Sequence, residues 1–379
     1  MLAVVGLAAA VVAVWSASCG GNSELPSAGQ ATTQTSTTSS TGPTATQSNT
    51  SSTSGSAAKL EGTLNGAGAT FPQPLYVEWI GEFQAMHPGV TINYQGIGSG
   101  GGIEQFTKMT VDFGASDAPM KDEEIARAEE ASGAKVMHIP TVMGAVAVIY
   151  NLPGVQEVKL DPAALAGIFM GEITSWNDPI LASLNPGVSL PDRAIQVVHR
   201  SDSSGTTNIF TGYLTQVSPE WAEKVGKGKE VQWPAGIGGK GNDGVAAIVQ
   251  QQVGAIGYVE LSYALESGLS AAVLKNKAGK FVAPSLESTS AAAVGVTFPE
   301  DLRFSLSNSE GPDAYPIVGA TWILAYDKMN DANKAELLKA WLTWCLTEGT
   351  SLAKELHYAP LSDELRELAL NKVALIGSF

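Results

Sequence analysis

The sequence predicts an α/β protein of two lobes, and three observations carry that expectation. Strand candidates rich in Val, Ile and Tyr alternate with segments bearing helix caps and helical apolar spacing. That alternation is the mark of mainly parallel sheets covered by helices. From Lys59 to the last of the 379 residues the chain is long for one such sheet. Hydrophobic residues at 44% against charged residues at 16% supply a sizeable core and exclude an intrinsically disordered chain. The composition also narrows function. Lys+Arg 22 against Asp+Glu 37 gives a formal net charge of -15, the wrong sign for a nucleic-acid partner. Two cysteines, Cys19 and Cys345, build neither a disulfide framework nor a thiolate zinc site alone. His87, His138, His199 and His357 are scattered, none at metal-ligand spacing, so neither a metal nor a cofactor is expected.

Residues 2–15, LAVVGLAAAVVAVW, have the length of a signal-peptide core and fall short of the roughly 20 residues of a membrane-spanning helix. Ser16-Ala17-Ser18 and then Cys19 follow, which resembles a bacterial lipoprotein signal: a signal peptide over 1–18 and a lipidated cysteine at 19. An ordinary secretory signal with an incidental cysteine and a lone transmembrane anchor are the other readings, and all imply export. Up to residue 58 the chain is almost pure Ser, Thr, Gly, Gln, Asn and Ala, with Glu24 its only charge. No apolar period exists there, so 19–58 reads as a lipidated cysteine with a flexible tether spanning roughly 35 Å.

Beyond the tether, strands are expected at Val90–Gln95, Val136–Val142, Ala145–Tyr150, Ile195–His199, Ala255–Val259 and Val318–Tyr326. Ser218-Pro219-Glu220 opens a helix that Gly226 closes. Asp243 starts another, closed by Gly254, and Asp122 caps the acidic run after Lys121. Asp331 starts the longest, with Ala335, Leu338, Trp341, Leu342 and Cys345 on one apolar stripe, which makes Cys345 a buried small hydrophobe.

Four polar, glycine-rich segments sit at strand-to-helix junctions. Gly66-Ala67-Gly68-Ala69-Thr70-Phe71-Pro72 runs into a helix and presents backbone N–H groups to an anion, unless it is an ordinary turn. Gly96-Ile97-Gly98-Ser99-Gly100-Gly101-Gly102 satisfies G-x-G-x-x-G, with Asp117 about 20 residues on, where a dinucleotide fold keeps its ribose-binding acid. Physically this reports a helix N-terminus open to a negative group, whether pyrophosphate or free oxyanion. Asp112-Phe113-Gly114-Ala115-Ser116-Asp117-Ala118-Pro119 leaves Asp117 in need of a partner, since Asp122 caps the next helix. His199-Arg200-Ser201-Asp202-Ser203-Ser204-Gly205-Thr206-Thr207 supplies a guanidinium fork that Asp202 could orient, or a solvated ion pair. A serine nucleophile is a poor fit: neither Ser99 nor Ser204 lies in G-x-S-x-G, and His199 alone is near. Gly236-Ile237-Gly238-Gly239-Lys240-Gly241 is no nucleotide loop, because Pro234 and Gly241 stand where the phosphate-cradling motif needs Gly and Ser or Thr.

GAGATFPQPLYVEWI, YQGIGSGGG, DFGASDAP, HRSDSSGTT and WPAGIGGKGNDGVAAIVQQQVGAIGYVE together resemble the phosphate-binding proteins that serve bacterial phosphate ABC transporters, over residues 60–379. The resemblance implies the type II periplasmic-binding-protein fold, two α/β lobes joined by two crossing strands around a ligand cleft. Lobe one would hold 60–149 and 320–379, and lobe two 150–319. It implies phosphate contacts from Thr70, Phe71 (through its N–H), Ser99, Asp117, Arg200, Ser204, Gly205 and Thr206, with Asp202 behind the arginine. Gly100, His199 and Ser203 depart from residues common in relatives, Ser, Arg and Gly respectively. The expected protein is a non-enzymatic, lipid-anchored monomer that hands inorganic phosphate to membrane permease subunits and does not bind nucleic acid. A secreted phosphate-ester hydrolase using the same anion site is the alternative, and an NAD-dependent oxidoreductase reading Gly96–Gly101 a remoter one.

Overall fold

Strand and helix signals assemble into a ten-stranded sheet among the described residues, which are 59–379 of this computed structural model. Its main strands are β1 (Gly62–Gly68), β2 (Val90–Gly96), β3 (Phe113–Ser116), β4 (Val136–Tyr150), β5 (Gln196–Arg200), β6 (Ile237–Gly239), β7 (Ala255–Glu260) and β8 (Val318–Tyr326). They lie in the order β2-β1-β3-β8-β4-β7-β5-β6. β1 runs parallel to β2 and β3, and β5 runs parallel to β6 and β7. The two parallel groups meet at β4. Its residues Val136 to Ala145 pair antiparallel with β8, and Val146 to Tyr150 pair antiparallel with β7. The chain crosses a second time just before β8, where the Val146 N–H donates to Ile317 O at 2.8 Å.

β4 passes through the middle of the molecule, and all its residues but Val136 are buried, which is why it reads as an almost unbroken apolar run. The expected strands Val136–Val142 and Ala145–Tyr150 are therefore one strand. Gly144 does not interrupt it. A Cβ there would lie 2.6 Å from Phe71 Cζ, so the glycine makes room for a packed ring. Pro140 has no N–H to give the ladder, and the β4–β8 register slips beside it, Thr321 pairing Val142 and Trp322 pairing Pro140. β1 escaped the sequence reading because GTLNGAG has little β propensity. Its glycines are packing requirements: a Cβ on Gly66 would fall 2.1 Å from Phe113 Cζ.

The helices that matter to the site and core include α1 (Gln73–Met86), α2 (Ser99–Thr107), α3 (Asp122–Ser132), α4 (Gly205–Val217), α5 (Gly241–Gln251) and α6 (Ala332–Leu346), with others between them and after α6. Asp331 caps α6 as expected, accepting from Asn333 N at 2.9 Å and Lys334 N at 3.1 Å, and its stripe, Cys345 included, is buried. Ser218 caps Pro219–Lys224 through Trp221 N at 3.1 Å. Two caps are corrected. α5 begins at Gly241, so Asp243 lies inside its first turn. Asp122 is likewise inside α3, where Glu124 accepts the Lys121 N–H at 2.8 Å and Asp122 reaches Arg303 Nη1 at 2.7 Å. Among the described residues no helix is long and apolar enough to cross a membrane. Cys19, the apolar run and the tether lie outside the described residues.

α2 presses its first turn onto β1 and β3. A Cβ at Gly102 would stand 2.5 Å from Gly68 Cα and 2.6 Å from Ala115 O, both backbone atoms with no room to yield. Gly102→Ala is therefore expected to destabilise the fold by about 1–3 kcal/mol through overpacking. Urea unfolding checks it, and an unchanged midpoint would mean that α2 sits further off the sheet.

Candidate functional site

Four helices start at one place. Thr70 and Phe71 lead into α1, Gly98 precedes α2, Ser204 precedes α4 and Lys240 precedes α5. Their first turns carry N–H groups that the helices cannot use, and their dipoles point positive ends into the same volume. Contacts between loops remote in sequence fix the convergence. Gly205 N donates to Ser99 Oγ at 3.1 Å, Gly100 N to Ser203 O at 2.9 Å, and Asn242 Nδ2 to Thr70 Oγ1 at 2.8 Å. Two glycines make the approach possible. Gly98 has φ +84, and a Cβ on it would meet Asp202 Oδ2 at 2.5 Å; a Cβ on Gly205 would meet Asp117 Oδ2 at 2.6 Å.

Arg200 is the cation of this volume. Its side chain is 1% exposed, and a buried guanidinium needs a fixed partner. Asp202 takes one edge, accepting Nε at 2.8 Å on Oδ1 and Nη2 at 2.5 Å on Oδ2. The Gly241 N–H adds a third bond to Asp202 Oδ1 at 3.0 Å. Burial pushes the Asp202 carboxyl up, but its bonds and charge contact with Arg200, helped by the Gly241 N–H, bring it below the usual range. The pair is therefore a fork in a set orientation, not a solvated ion pair. The other edge of Arg200 reaches Thr206 Oγ1 from Nη1 at 3.3 Å.

Asp117 is buried at the end of β3. Thr321 donates to its Oδ1 at 2.8 Å and Ser99 Oγ to its Oδ2 at 3.3 Å. Burial pushes its carboxyl up to about 7, against the pull of the Thr321 hydroxyl, the Arg200 charge and the Ser99 hydroxyl. An acid in this state gives or takes a proton near neutrality.

The loop at Thr70 and Phe71 is held from behind. Tyr94 donates to Ala69 O at 2.6 Å, Tyr263 to Thr70 O at 2.5 Å and Tyr358 to Phe71 O at 2.7 Å. In a trans peptide the N–H points opposite to the C=O, so these bonds turn the N–H groups of Thr70 and Phe71 the other way.

Thr70, Phe71, Ser99, Asp117, Arg200, Ser204 and Thr206 are thus all buried in one cluster with Gly205, and Asp202 sits directly behind Arg200. Ser204 doubles as the cap of α4, accepting Thr207 N at 3.0 Å. Sequence reasoning missed Asn242, Thr321 and the three tyrosines. Asn242 could have been found in the segment GNDG, which failed as a nucleotide loop and entered only as a motif of the resemblance.

The hydrolase and dinucleotide readings find no support in this geometry. His199 stacks on Trp233 with ring centroids 4.8 Å apart and bonds Arg200 O through Nδ1; among the described residues it makes no hydrogen bond to a serine. The fingerprint acid Asp117 is buried and engaged by the Ser99 hydroxyl at the start of α2.

Residues 27–348 match a family model described as a PBP superfamily domain. The chain is 45% identical over 310 residues to the phosphate-binding protein PstS of Pasteurella multocida, spanning 80% of this chain and 87% of that one. It is 43% identical over 335 residues to phosphate-binding protein PstS of Methanocaldococcus jannaschii, 82% and 85% of the two chains. Among solved structures it is similar to a high-affinity periplasmic phosphate-binding protein bound with phosphate, with a TM-score of 0.66 and 23% identity over 81% of this chain and 92% of that chain. A phosphate-binding protein from Stenotrophomonas maltophilia gives 0.63 and 20%, over 82% and 93%. These two likenesses establish a shared fold.

A second buried acid borders the cluster. Glu260 is fully buried, and its Oε2 accepts from Ser262 N at 2.8 Å and from the Ser262 hydroxyl. Burial pushes its carboxyl up to about 8, although Ser262 and Tyr358 pull it down. The folded state therefore holds this proton to a higher pH than the unfolded chain, whose ordinary value is 4.5. The resulting stability is complete below that value and is lost as pH rises through about 8; Asp117 adds the same trend up to about 7. Phosphate-free protein is expected to melt at progressively lower temperature from pH 5 to 9, and Glu260→Gln to flatten the upper part of that fall. A Glu260→Gln profile parallel to wild type would show that the carboxyl ionises as freely in the fold as in water.

Proposed function

We propose that this chain, which belongs to the PstS family of phosphate-binding proteins, takes up inorganic phosphate outside the cytoplasm and delivers it to the permease of an ABC transporter for import. It is a binding protein and not an enzyme. The observation that carries the reading is the meeting of four helix N-termini around one buried Arg200 and one buried Asp117.

A tetrahedral oxyanion leaving water needs a donor for every oxygen. The N–H groups of Thr70, Phe71, Ser99, Gly205 and Thr206, the hydroxyls of Thr70, Ser99, Ser204 and Thr206, and Arg200 supply them. The ligand replaces the bonds these groups make to one another across the closed cleft, such as Gly205 N to Ser99 Oγ at 3.1 Å. Asp117 is the exception, an acceptor among donors. Phosphate near neutral pH keeps a proton that a carboxylate can accept, whereas sulfate has none and meets a repulsive acid.

Lobe one comprises 60–149 and 320–379, lobe two 150–319, and phosphate draws them together about β4 and the segment entering β8. Cys19 carries a lipid anchor, residues 1–18 are removed as a signal peptide, and the tether holds a monomer above the membrane, on the periplasmic or outer side. The reading rests on the sequence of the first 58 residues.

Titration calorimetry is expected to give one phosphate per chain for wild type, with excess sulfate nearly without effect; absence of binding would end the reading. In Asp117→Asn the amide can turn its NH₂ toward an unprotonated oxygen. Sulfate should then become a measurable competitor, while phosphate affinity changes less than selectivity. Continued exclusion of sulfate would leave Asp117 as a loop-organising acid only. Cys19→Ala should move the protein from the membrane to the soluble fraction with phosphate binding intact, and membrane retention would point to the apolar segment as anchor.

A further inference from the structure

Asn242 lies at the second position of α5, fully buried, and none of its hydrogen bonds is to solvent-facing groups. Its Oδ1 accepts the backbone N–H of Glu260 at 3.0 Å, which can only donate, so the amide has one orientation and its Nδ2 must face the other way. There it donates to Thr70 Oγ1 at 2.8 Å and to Thr206 Oγ1 at 3.3 Å. Each of these hydroxyls receives a second donor: Thr70 the Asn242 N–H at 3.3 Å, Thr206 the Arg200 Nη1 at 3.3 Å.

A hydroxyl has two acceptor lone pairs and one proton to give. In both threonines the lone pairs are taken by groups that cannot accept. Among the described hydrogen bonds neither hydroxyl donates, and each keeps a single donor proton. We propose that Asn242 is a positioning residue that makes Thr70 and Thr206 obligate donors, so that the site offers protons to every ligand oxygen except the one facing Asp117. The inference rests on the phosphate reading given above. It assigns the site a specificity for the ionisation state of the anion: a tetrahedral oxyanion with one protonated oxygen fits, and a second protonated oxygen finds a donor where it needs an acceptor.

The test is a double-mutant cycle read by phosphate titration on the intact chain, with melting curves confirming folded variants. Asn242→Ala alone is expected to weaken phosphate binding ten- to a hundredfold. In a Thr70→Val, Thr206→Val background, with no hydroxyl protons left to direct, the same change should cost less than threefold. Equal costs in both backgrounds would overturn the proposal, because Asn242 would then act by packing alone. If Asn242→Ala does not fold, the isosteric Asn242→Asp serves: its carboxylate takes the threonine protons, so binding should fall more than a hundredfold and wild-type affinity would overturn the proposal. Wild type failing to bind phosphate would instead sink the functional reading.

Discussion

A guanidinium buried to 1% exposure brings its charge with it, a carboxylate holding it on two atoms offsets the cost of that burial, and the Arg200–Asp202 fork is the contact on which the cleft depends. Two of the helix starts in the cleft are placed by reference to it. Asp202 is fixed in turn by the Gly241 N–H, so the start of α5 is tied to the arginine. Gly98 must lack a side chain because Asp202 Oδ2 occupies the space, so the start of α2 is built against the same carboxylate. Asp202 also absorbs one edge of the guanidinium, leaving the other with direction as well as charge. Without the fork, the arginine would be a long flexible side chain with a costly unpaired charge.

Asp117 has an equally traceable origin. Pro140 removes a ladder donor from β4, the β8 register slips between Thr321 and Trp322, and Thr321 is placed with its hydroxyl on Asp117 Oδ1 at 2.8 Å. A backbone constraint in the core thereby sets the orientation of a carboxylate in the cleft. Burial sets its proton affinity, and the nearby Arg200 charge keeps that affinity from rising further. The acid is left close to neutrality, where exchange of a proton with an oxyanion costs little.

Sequence alone revealed the loops and hid their supports, for physical reasons. Loops that offer backbone and hydroxyl donors to an anion favour glycine and small hydroxyl residues, and Gly96–Gly102 and Ser203–Thr207 announce that in consecutive residues. Arg200 and Asp202 are two apart on one chain, so their pairing was legible. Thr321 lies 204 residues from Asp117 and sits in a strand whose composition says only that it is buried. The three tyrosines act from the far side of peptide units, through carbonyls that no side-chain motif records. Asn242 was visible in GNDG, but the segment was rejected as a nucleotide loop and kept only as a motif of the family resemblance, with no role for the asparagine. The misplaced caps at Asp122 and Asp243 share one cause: an acid in a helix's first turn looks the same in sequence whether it caps the helix or follows the cap.

A protein of net charge -15 that binds an anion poses an energetic question with a local answer. Charges more than about 8 Å apart through water at physiological salt are largely screened, so the acidic surface contributes little inside the cleft. Nor can ion pairs with access to water supply that answer. Glu124–Lys229 at 2.8 Å and Asp122–Arg303 at 2.7 Å join α3 to distant segments, but pairs with solvent access are worth about 0–1 kcal/mol each. Desolvated dipoles are the larger effect: an unsatisfied buried donor costs about 1–3 kcal/mol, and this site gathers the first turns of four helices. Such donors favour whichever partner satisfies most of them at once. A water or a neighbouring hydroxyl satisfies one or two, whereas a tetrahedral oxyanion reaches donors from every loop together. On the proposed reading, the selectivity of the cleft comes from the one place where the pattern is inverted, at Asp117, and its affinity from the completeness of the pattern elsewhere.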